Sequence, residues 1–268
     1  HTRRVFSKLR LISSIQYIAM SVLELFSGTG SVGKVCNQLG WDVVSVDMIL
    51  PADHQCDIMD FDYKQYPKDA FDIVWASPPC TAYSHLQGCW LGRKKKDGIF
   101  TQEKMDADMN DADRIVQKAQ EIIEYFNPHW WFIENPQTGK LKKREFMKDV
   151  PFYDVSYCMY SDWGYEKKTR IWTNKKDWNN QLCDKSGACG NMIDSQGLRK
   201  KHRIRIDGCS KYVLDNGKVI NCSSVKLKEK YKDFPNVKPS NKQVVGKGTS
   251  LFERYRIPED LILSLFLE

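Results

Sequence analysis

The first strongly patterned stretch of the chain is Ser21–Phe26 (SVLELF), a nearly continuous apolar run that stops at a glycine-rich turn. A short run of this kind predicts a strand buried on both faces. Ser31–Leu39 follows with apolar residues at helical spacing, and Gly40 supplies the stop signal. Trp41–Val46 (WDVVSV) predicts a second strand ending at Asp47, and Phe71–Ala76 (FDIVWA) a further one closed by Pro78-Pro79. Gln102–Phe126 carries a long helical pattern, clearest from Ala112 onward, which Asn127-Pro128 ends. Trp130–Ile133 is a short apolar strand. Strands alternating with helices predict an α/β fold, a parallel sheet with helices on both faces.

After about Lys175 the texture changes. Basic polar stretches surround Val213–Val219, which predicts a hairpin around Asn216-Gly217. Ile257–Leu267 is apolar at helical spacing, with Pro258 placed as at a helix N-terminus. These shifts divide the chain into a basic N-terminal extension (1–19), a main domain (20–175), a small loop-rich insert (176–245) and a C-terminal segment (246–268) expected to pack back on the main domain. The extension carries Arg3, Arg4, Lys8 and Arg10 without an acid, and is expected to lie outside the fold.

Charge sharpens this division. The net charge is +7, yet Lys176–Lys247 holds 16 Lys/Arg against 7 Asp/Glu, leaving −2 for the rest. A regional basic excess suits a polyanion such as nucleic acid, although a solvated lysine-rich surface has the same composition. No apolar stretch of about 18 residues occurs, so no membrane partner is expected. The nine cysteines form no disulfide-like framework, which points to a reducing, intracellular setting, nucleus or cytoplasm.

Three places carry candidate chemistry. Gly28-Thr29-Gly30-Ser31-Val32-Gly33 follows a strand and opens a helix, and Asp47 stands at the next strand's end. Glycines let backbone approach a ligand, and an acid there can accept from ribose hydroxyls; the usual reading of this spacing is a dinucleotide, and the turn alone leaves NAD and S-adenosylmethionine both open. Cys80 follows Ser77-Pro78-Pro79 at a strand end on the same side of the sheet. A lone cysteine is more often inert core than nucleophile, but this placement favours the nucleophile. Glu134, after Trp130–Ile133, is either the start of a surface loop or a carboxyl group in a pocket, able there to donate a proton.

Taken in order, these segments resemble the motif set of C5-cytosine DNA methyltransferases. Leu23–Gly33 (LELFSGTGSVG) resembles the family's cofactor motif, Val44–Asp47 its ribose-binding strand end, and Cys56-Asp57-Ile58 the motif against the adenine ring. Ala76–Ser84 (ASPPCTAYS) resembles the nucleophile motif, Phe132–Pro136 (FIENP) the catalytic glutamate motif, and Lys167–Asn174 (KKTRIWTN) the motif whose arginines hold the target base and backbone. Gly246–Thr249 corresponds to the last cofactor motif. Thr81, Lys168 and Pro136 depart from the family's usual glutamine, arginine and valine.

The resemblance implies a Rossmann-like S-adenosylmethionine-dependent methyltransferase sheet with a target-recognition insert, acting as a monomer on double-stranded DNA. It implies catalytic roles for Cys80, Glu134, Lys168 and Arg170, and cofactor contacts from Phe26, Gly28, Thr29, Gly30, Asp47, Met48, Asp57, Ile58, Pro78 and Thr249. The base is expected to flip out of the stack, with the glycine-containing, basic segment Thr81–Phe100 closing over it. An RNA cytosine-5 methyltransferase, a catalytically silent DNA-binding module and a nucleotide-cofactor oxidoreductase are the alternatives. The last leaves Cys80, Glu134 and the basic insert unexplained. No resident metal is expected: Cys183, Cys189, His202 and Cys209 are read as unligated thiols and imidazole, because the Cys183–Cys189 spacing is wider than in common zinc motifs.

Overall fold

The structure, a computed structural model, describes residues 19–95, 97–195, 198–202, 210–213, 219–222 and 254–268, with the backbone alone for most of those between 193 and 222. Six strands form the central sheet: β1 (Ser21–Leu25), β2 (Asp42–Val46), β3 (Ile73–Ala76), β6 (Trp130–Pro136), β7 (Phe152–Ser156) and β8 (Lys168–Thr173), in the order β2-β1-β3-β6-β8-β7. The first four pair in parallel, which makes the β1/β3 boundary the point where strand order reverses. Ligands bind such sheets beyond the carboxyl ends of the strands at that boundary.

The sheet is mixed, whereas the alternating pattern predicts a parallel one. Strand β8 lies between β6 and β7 and runs antiparallel to both. Residues 157–167 return the chain directly from β7 without a crossover helix, so β8 can only pair in the opposite sense.

Helices cover both faces. Helix α1 (Ser31–Gln38) and helix α3 (Glu259–Leu267) lie on one side, where Val32, Val35, Leu261, Ile262, Leu265 and Phe266 pack against Val22, Ile73, Trp75 and Phe132. Each such fully buried side chain contributes roughly 1.5–3 kcal/mol, so α3 is an integral layer. On the other face lies helix α2 (Gln102–Phe126), with Met105, Met109, Ala112, Val116, Ala119, Ile123 and Phe126 buried at alternating steps of four and three. Its ends form where capping chemistry dictates. The Thr101 side chain accepts the Lys104 N–H at 3.2 Å, and Asn127 closes the helix in the left-handed region, φ 44°.

Among the described residues, three hairpins stand outside the sheet. One joins β4 (Lys94–Lys95) to β5 (Gly98–Ile99) in the segment after Cys80. In the basic region, β9 (Met192–Ser195) pairs with β10 (Leu198–His202), and β11 (Ser210–Val213) with β12 (Val219–Cys222), Val213 opposite Val219. That last pairing matches the predicted hairpin, while its Asn-Gly turn lies outside the described residues, as do the N-terminal extension to residue 18, Lys96, Cys209 and Gly246–Thr249. Among the described residues no helix is long and apolar enough to cross a membrane.

Candidate active site

Three strand ends build the site. At β1 the backbone turns sharply: Phe26, Gly28 and Gly30 have φ of 57°, 52° and 64°. A left-handed conformation costs glycine nothing but a residue such as Phe26 roughly 1–3 kcal/mol, and the surroundings fix it there. Ser27 donates its N–H to the Val46 carbonyl (3.0 Å), and the Asp47 carboxylate accepts from Gly28 N (2.8 Å), Ile49 N (2.8 Å) and Leu50 N (2.8 Å). Asp47 therefore ties the second strand end to the glycine turn. Next to it Met48 is 59% exposed, an apolar side chain presented to solvent. Ile58 is buried in the core, and Asp57 accepts the Met59 N–H at 2.9 Å.

One carboxyl group here was not singled out by sequence. Glu24, on β1 and buried, accepts Val32 N (3.1 Å) and Gly33 N (2.9 Å) at the first turn of α1. Burial lifts its pKa to about 7 against the pull of those two bonds. Gly33 is required by this contact, since a Cβ there would stand 2.9 Å from Glu24 Oε2. The arrangement separates the two cofactor classes left open above. A dinucleotide places its pyrophosphate on the N-terminal amides of this helix. Here a carboxyl group already holds them, which suits a phosphate-free nucleoside cofactor with a positive sulfonium, as S-adenosylmethionine is. A cleft of about 640 Å³ opens beyond Thr29 and Ser31 toward Trp163 and Arg256; Asp47, Asp57 and Pro78 do not line it.

At the end of β3 stands Cys80, partly buried, in a loop clamped from two sides. Buried Asn135, on β6, donates from Nδ2 to the Pro78 carbonyl at 3.0 Å. Beyond the cysteine, Tyr83 is fully buried and donates its hydroxyl to Asp113 Oδ1 at 2.9 Å; the Arg144 guanidinium grips the same carboxylate, Nε to Oδ2 at 2.8 Å. Burial raises the Cys80 pKa, and the Glu134 carboxylate raises it further, while Lys167 and Arg254 oppose them.

Strand β6 runs on through Glu134-Asn135-Pro136, so Glu134 sits within the paired sheet rather than in a loop after it. It is buried, and its Oε1 receives the Tyr157 hydroxyl at 3.0 Å and Lys167 Nζ at 3.3 Å. Lys167 also donates to the Arg254 carbonyl at 3.1 Å and stands 4.7 Å from the Tyr157 ring centre.

The structure brings Cys80 and Glu134 together but not Lys168 and Arg170. Asn135 pairs with Arg170 and Glu134 with Ile171, which puts Arg170 on the opposite face of the sheet from the glutamate. There it binds Asp154, Nε to Oδ1 at 2.7 Å, and lies 3.4 Å from the Phe152 ring centre. Lys168 is exposed and 3.9 Å from Glu166. The cation beside the glutamate is Lys167, one residue earlier. Only the pleat of β8 selects it, and sequence gives that pleat no register. Thr249 lies outside the described residues.

The segment after Cys80 exposes Leu86, Trp90 and Leu91, with the Arg93 guanidinium 5.5 Å and the Lys95 ammonium 5.1 Å from the Trp90 ring. Further off, Cys183, Cys189 and His202 converge with a fourth residue, Cys158.

A doubly covered sheet with a glycine turn at its switch point, and a thiol and a carboxyl group at neighbouring strand ends, defines a Rossmann-like protein built for methyl transfer. No family model matches the chain. It is 40% identical over 176 residues, 65% of its own length and 79% of the relative's, to a protein of Frog virus 3 (isolate Goorha) described as a probable DNA (cytosine-5)-methyltransferase. The chain belongs to the DNA (cytosine-5)-methyltransferase family. Similarity to solved structures is weaker: the Entamoeba histolytica methyltransferase EhMeth shares 14% identity at a TM-score of 0.41, covering 62% of this chain and 56% of that one. The S. pombe Dnmt2 methyltransferase shares 12% at 0.40, covering 81% and 66%.

Proposed function

We propose that this protein transfers a methyl group from S-adenosylmethionine to carbon 5 of a flipped cytosine in double-stranded DNA, with Cys80 as nucleophile and Glu134 as its acid partner. The observation that carries this reading is the pairing of Cys80 with Glu134 at the ends of β3 and β6, beside the glycine turn.

Carbon 5 of cytosine is a weak nucleophile. Addition of the Cys80 thiolate to carbon 6 breaks the 5,6 double bond and pushes its electron pair to carbon 5. Glu134 meets the ring at N3 and the exocyclic amine, where a proton offsets the charge that builds up. When bound, S-adenosylmethionine supplies the electrophilic methyl group. Loss of the carbon-5 proton to a base then restores the double bond and expels the Cys80 thiolate. Lys167 and Tyr157 hold the Glu134 carboxyl group in place throughout. Burial and Glu134 raise the Cys80 pKa, so the thiol would give up its proton on attack, and transfer of that proton to the Glu134 carboxylate would balance the one that Glu134 passes to N3.

Gly28, Thr29 and Gly30 would hold the methionine end, Asp47 the ribose, Met48 and the Asp57-Ile58 pair the adenine, with Phe26 and Pro78 walling the pocket and Thr249 closing it. Residues 176–245 would act as a target-recognition region that positions on phosphates through their basic excess. Arg93 and Lys95, beside exposed Trp90, suit closure over the flipped base. We assign the protein to act as a monomer inside the cell.

The test is transfer from labelled S-adenosylmethionine to mixed-sequence duplex DNA, with identification of the methylated base and an RNA arm alongside. Cys80→Ala should abolish transfer and keep cofactor binding, and 5-fluorocytosine DNA should trap a covalent adduct on the parent. Cofactor binding without any transfer to DNA, or near-normal transfer by Cys80→Ala, refutes the reading.

A further inference from the structure

Cys158 lies in the single helical turn after β7, Cys183 and Cys189 lie in the connection that follows β8, and His202 ends β10. Their ligand atoms all fall within 4.8 Å of one another. His202 Nε2 is 3.6 Å from Cys183 Sγ and 3.7 Å from Cys189 Sγ. A tetrahedral zinc ion, with Zn–S of about 2.3 Å and Zn–N of about 2.0 Å, requires S···N separations of about 3.5 Å. Three thiols and one imidazole arranged in this way form a complete zinc ligand set, not a loose group of cysteines.

We propose that Cys158, Cys183, Cys189 and His202 bind one structural zinc ion, which fastens the start of the basic region to the edge of the catalytic sheet. Four protein ligands leave no open coordination position, so the ion holds structure and takes no part in methyl transfer. The surroundings are built for the task. Glu166 Oε2 lies 4.0 Å from His202 Nδ1, longer than a hydrogen bond but on the side of the ring away from the thiols, where a carboxylate favours Nε2 turned toward the metal. Asn191, buried, places Nδ2 within hydrogen-bond distance of the carbonyls of Cys158 (2.9 Å), Ser161 (2.7 Å) and Cys189 (3.0 Å), which share its two protons, and its Oδ1 accepts Gly164 N at 3.0 Å. That one side chain ties together the two chain segments that bear the thiols. A disulfide between any two of the cysteines would strand the third and leave the imidazole without a role.

The location gives the ion a consequence. Cys158 directly follows Tyr157, whose hydroxyl meets Glu134. The same short turn therefore supports both the glutamate and the anchor of the basic region.

The test is metal analysis of the full chain, purified under reducing conditions without chelator. One zinc per chain is expected, and cobalt exchanged into the site should give the intense visible bands of a tetrahedral, thiolate-rich centre. Cys158→Ser should lose the metal, Cys209→Ser should keep it, His202→Cys should retain it as a four-thiolate site, and Glu166→Gln should weaken zinc affinity about 10–100-fold. A folded, fully reduced parent that carries no zinc and takes up none on titration overturns the proposal. So does an octahedral cobalt spectrum, or a disulfide among the three thiols in protein kept from reductant. Because metal content is read on the unmodified chain, a variant that fails to fold does not decide the outcome.

Discussion

Lys167→Met is the perturbation that most directly questions the site. Lys167 Nζ and Glu134 Oε1 are 3.3 Å apart, with side chains only 12% and 8% exposed. At an effective dielectric of about 20 their attraction is about 5 kcal/mol. Part of that offsets desolvation of the two charges, and the separation is longer than the ~2.8 Å of a strong charged hydrogen bond. Orphaning a buried charge costs roughly 3–5 kcal/mol, and the long contact places this variant near 3 kcal/mol. Urea unfolding at neutral pH measures it. In a Glu134→Gln background the same substitution should cost less than about 1 kcal/mol, because no buried charge is then left alone. A second readout is alkylation of Cys80 against pH, followed on its own peptide by mass spectrometry, since Cys89 is more exposed and reacts as well. Thiolate is the reacting form, so the rate climbs with pH through the thiol pKa. Lys167 pulls that pKa down and Glu134 pushes it up. Lys167→Met should therefore move the profile to higher pH, and Glu134→Gln to lower pH. Equal unfolding costs in both backgrounds, or shifts of the same sign, would refute the coupling.

Gly33→Ala sets a Cβ 2.9 Å from Glu24 Oε2 and 3.4 Å from Val43 Cγ1, and should destabilise the fold by roughly 1–3 kcal/mol even after alanine's helical advantage. Urea unfolding should show the cost vanish in a Glu24→Ala background; persistence there would place the clash elsewhere. Asn135→Ala removes the bond to the Pro78 carbonyl, and should lower the rate of methyl transfer at least tenfold while leaving the Kd for S-adenosylmethionine within about twofold, because it disturbs the Cys80 loop and not the glycine turn. An unchanged rate would mean that the loop keeps its shape without this clamp.

Much of the fold was legible because its signals are local. The run Val22–Leu25, the period of α2, clearest from Ala112 onward, and its stop at Asn127 each act within a few residues. The antiparallel insertion of β8 was not, because pairing partners are chosen across the chain. The site divides in the same way. Cys80 follows a recognisable strand end and Glu134 continues a recognisable strand, whereas only the pleat decides that Lys167, and not Lys168 or Arg170, faces the glutamate. Glu24 looked like one more position in a buried strand, and its use as the partner of the α1 amides requires the helix to be in place. Cys158 lies far in sequence from Cys183, and only the fold brings it to Cys183, Cys189 and His202.

The packing of α3 has a consequence for how the protein is made. Ile257 N bonds to Ser31 Oγ across 226 positions, Lys175 Nζ to the Leu265 carbonyl across 90, and Lys167 Nζ to the Arg254 carbonyl across 87. A nascent chain that has not yet released residues 254–268 from the ribosome lacks one layer over Trp75 and Phe132 and the backbone anchor of its site cation. The sheet can begin to pair during synthesis, but on that face only α1 covers it until this helix arrives. That layer, and the backbone anchor of Lys167, are therefore complete only after translation has passed this helix.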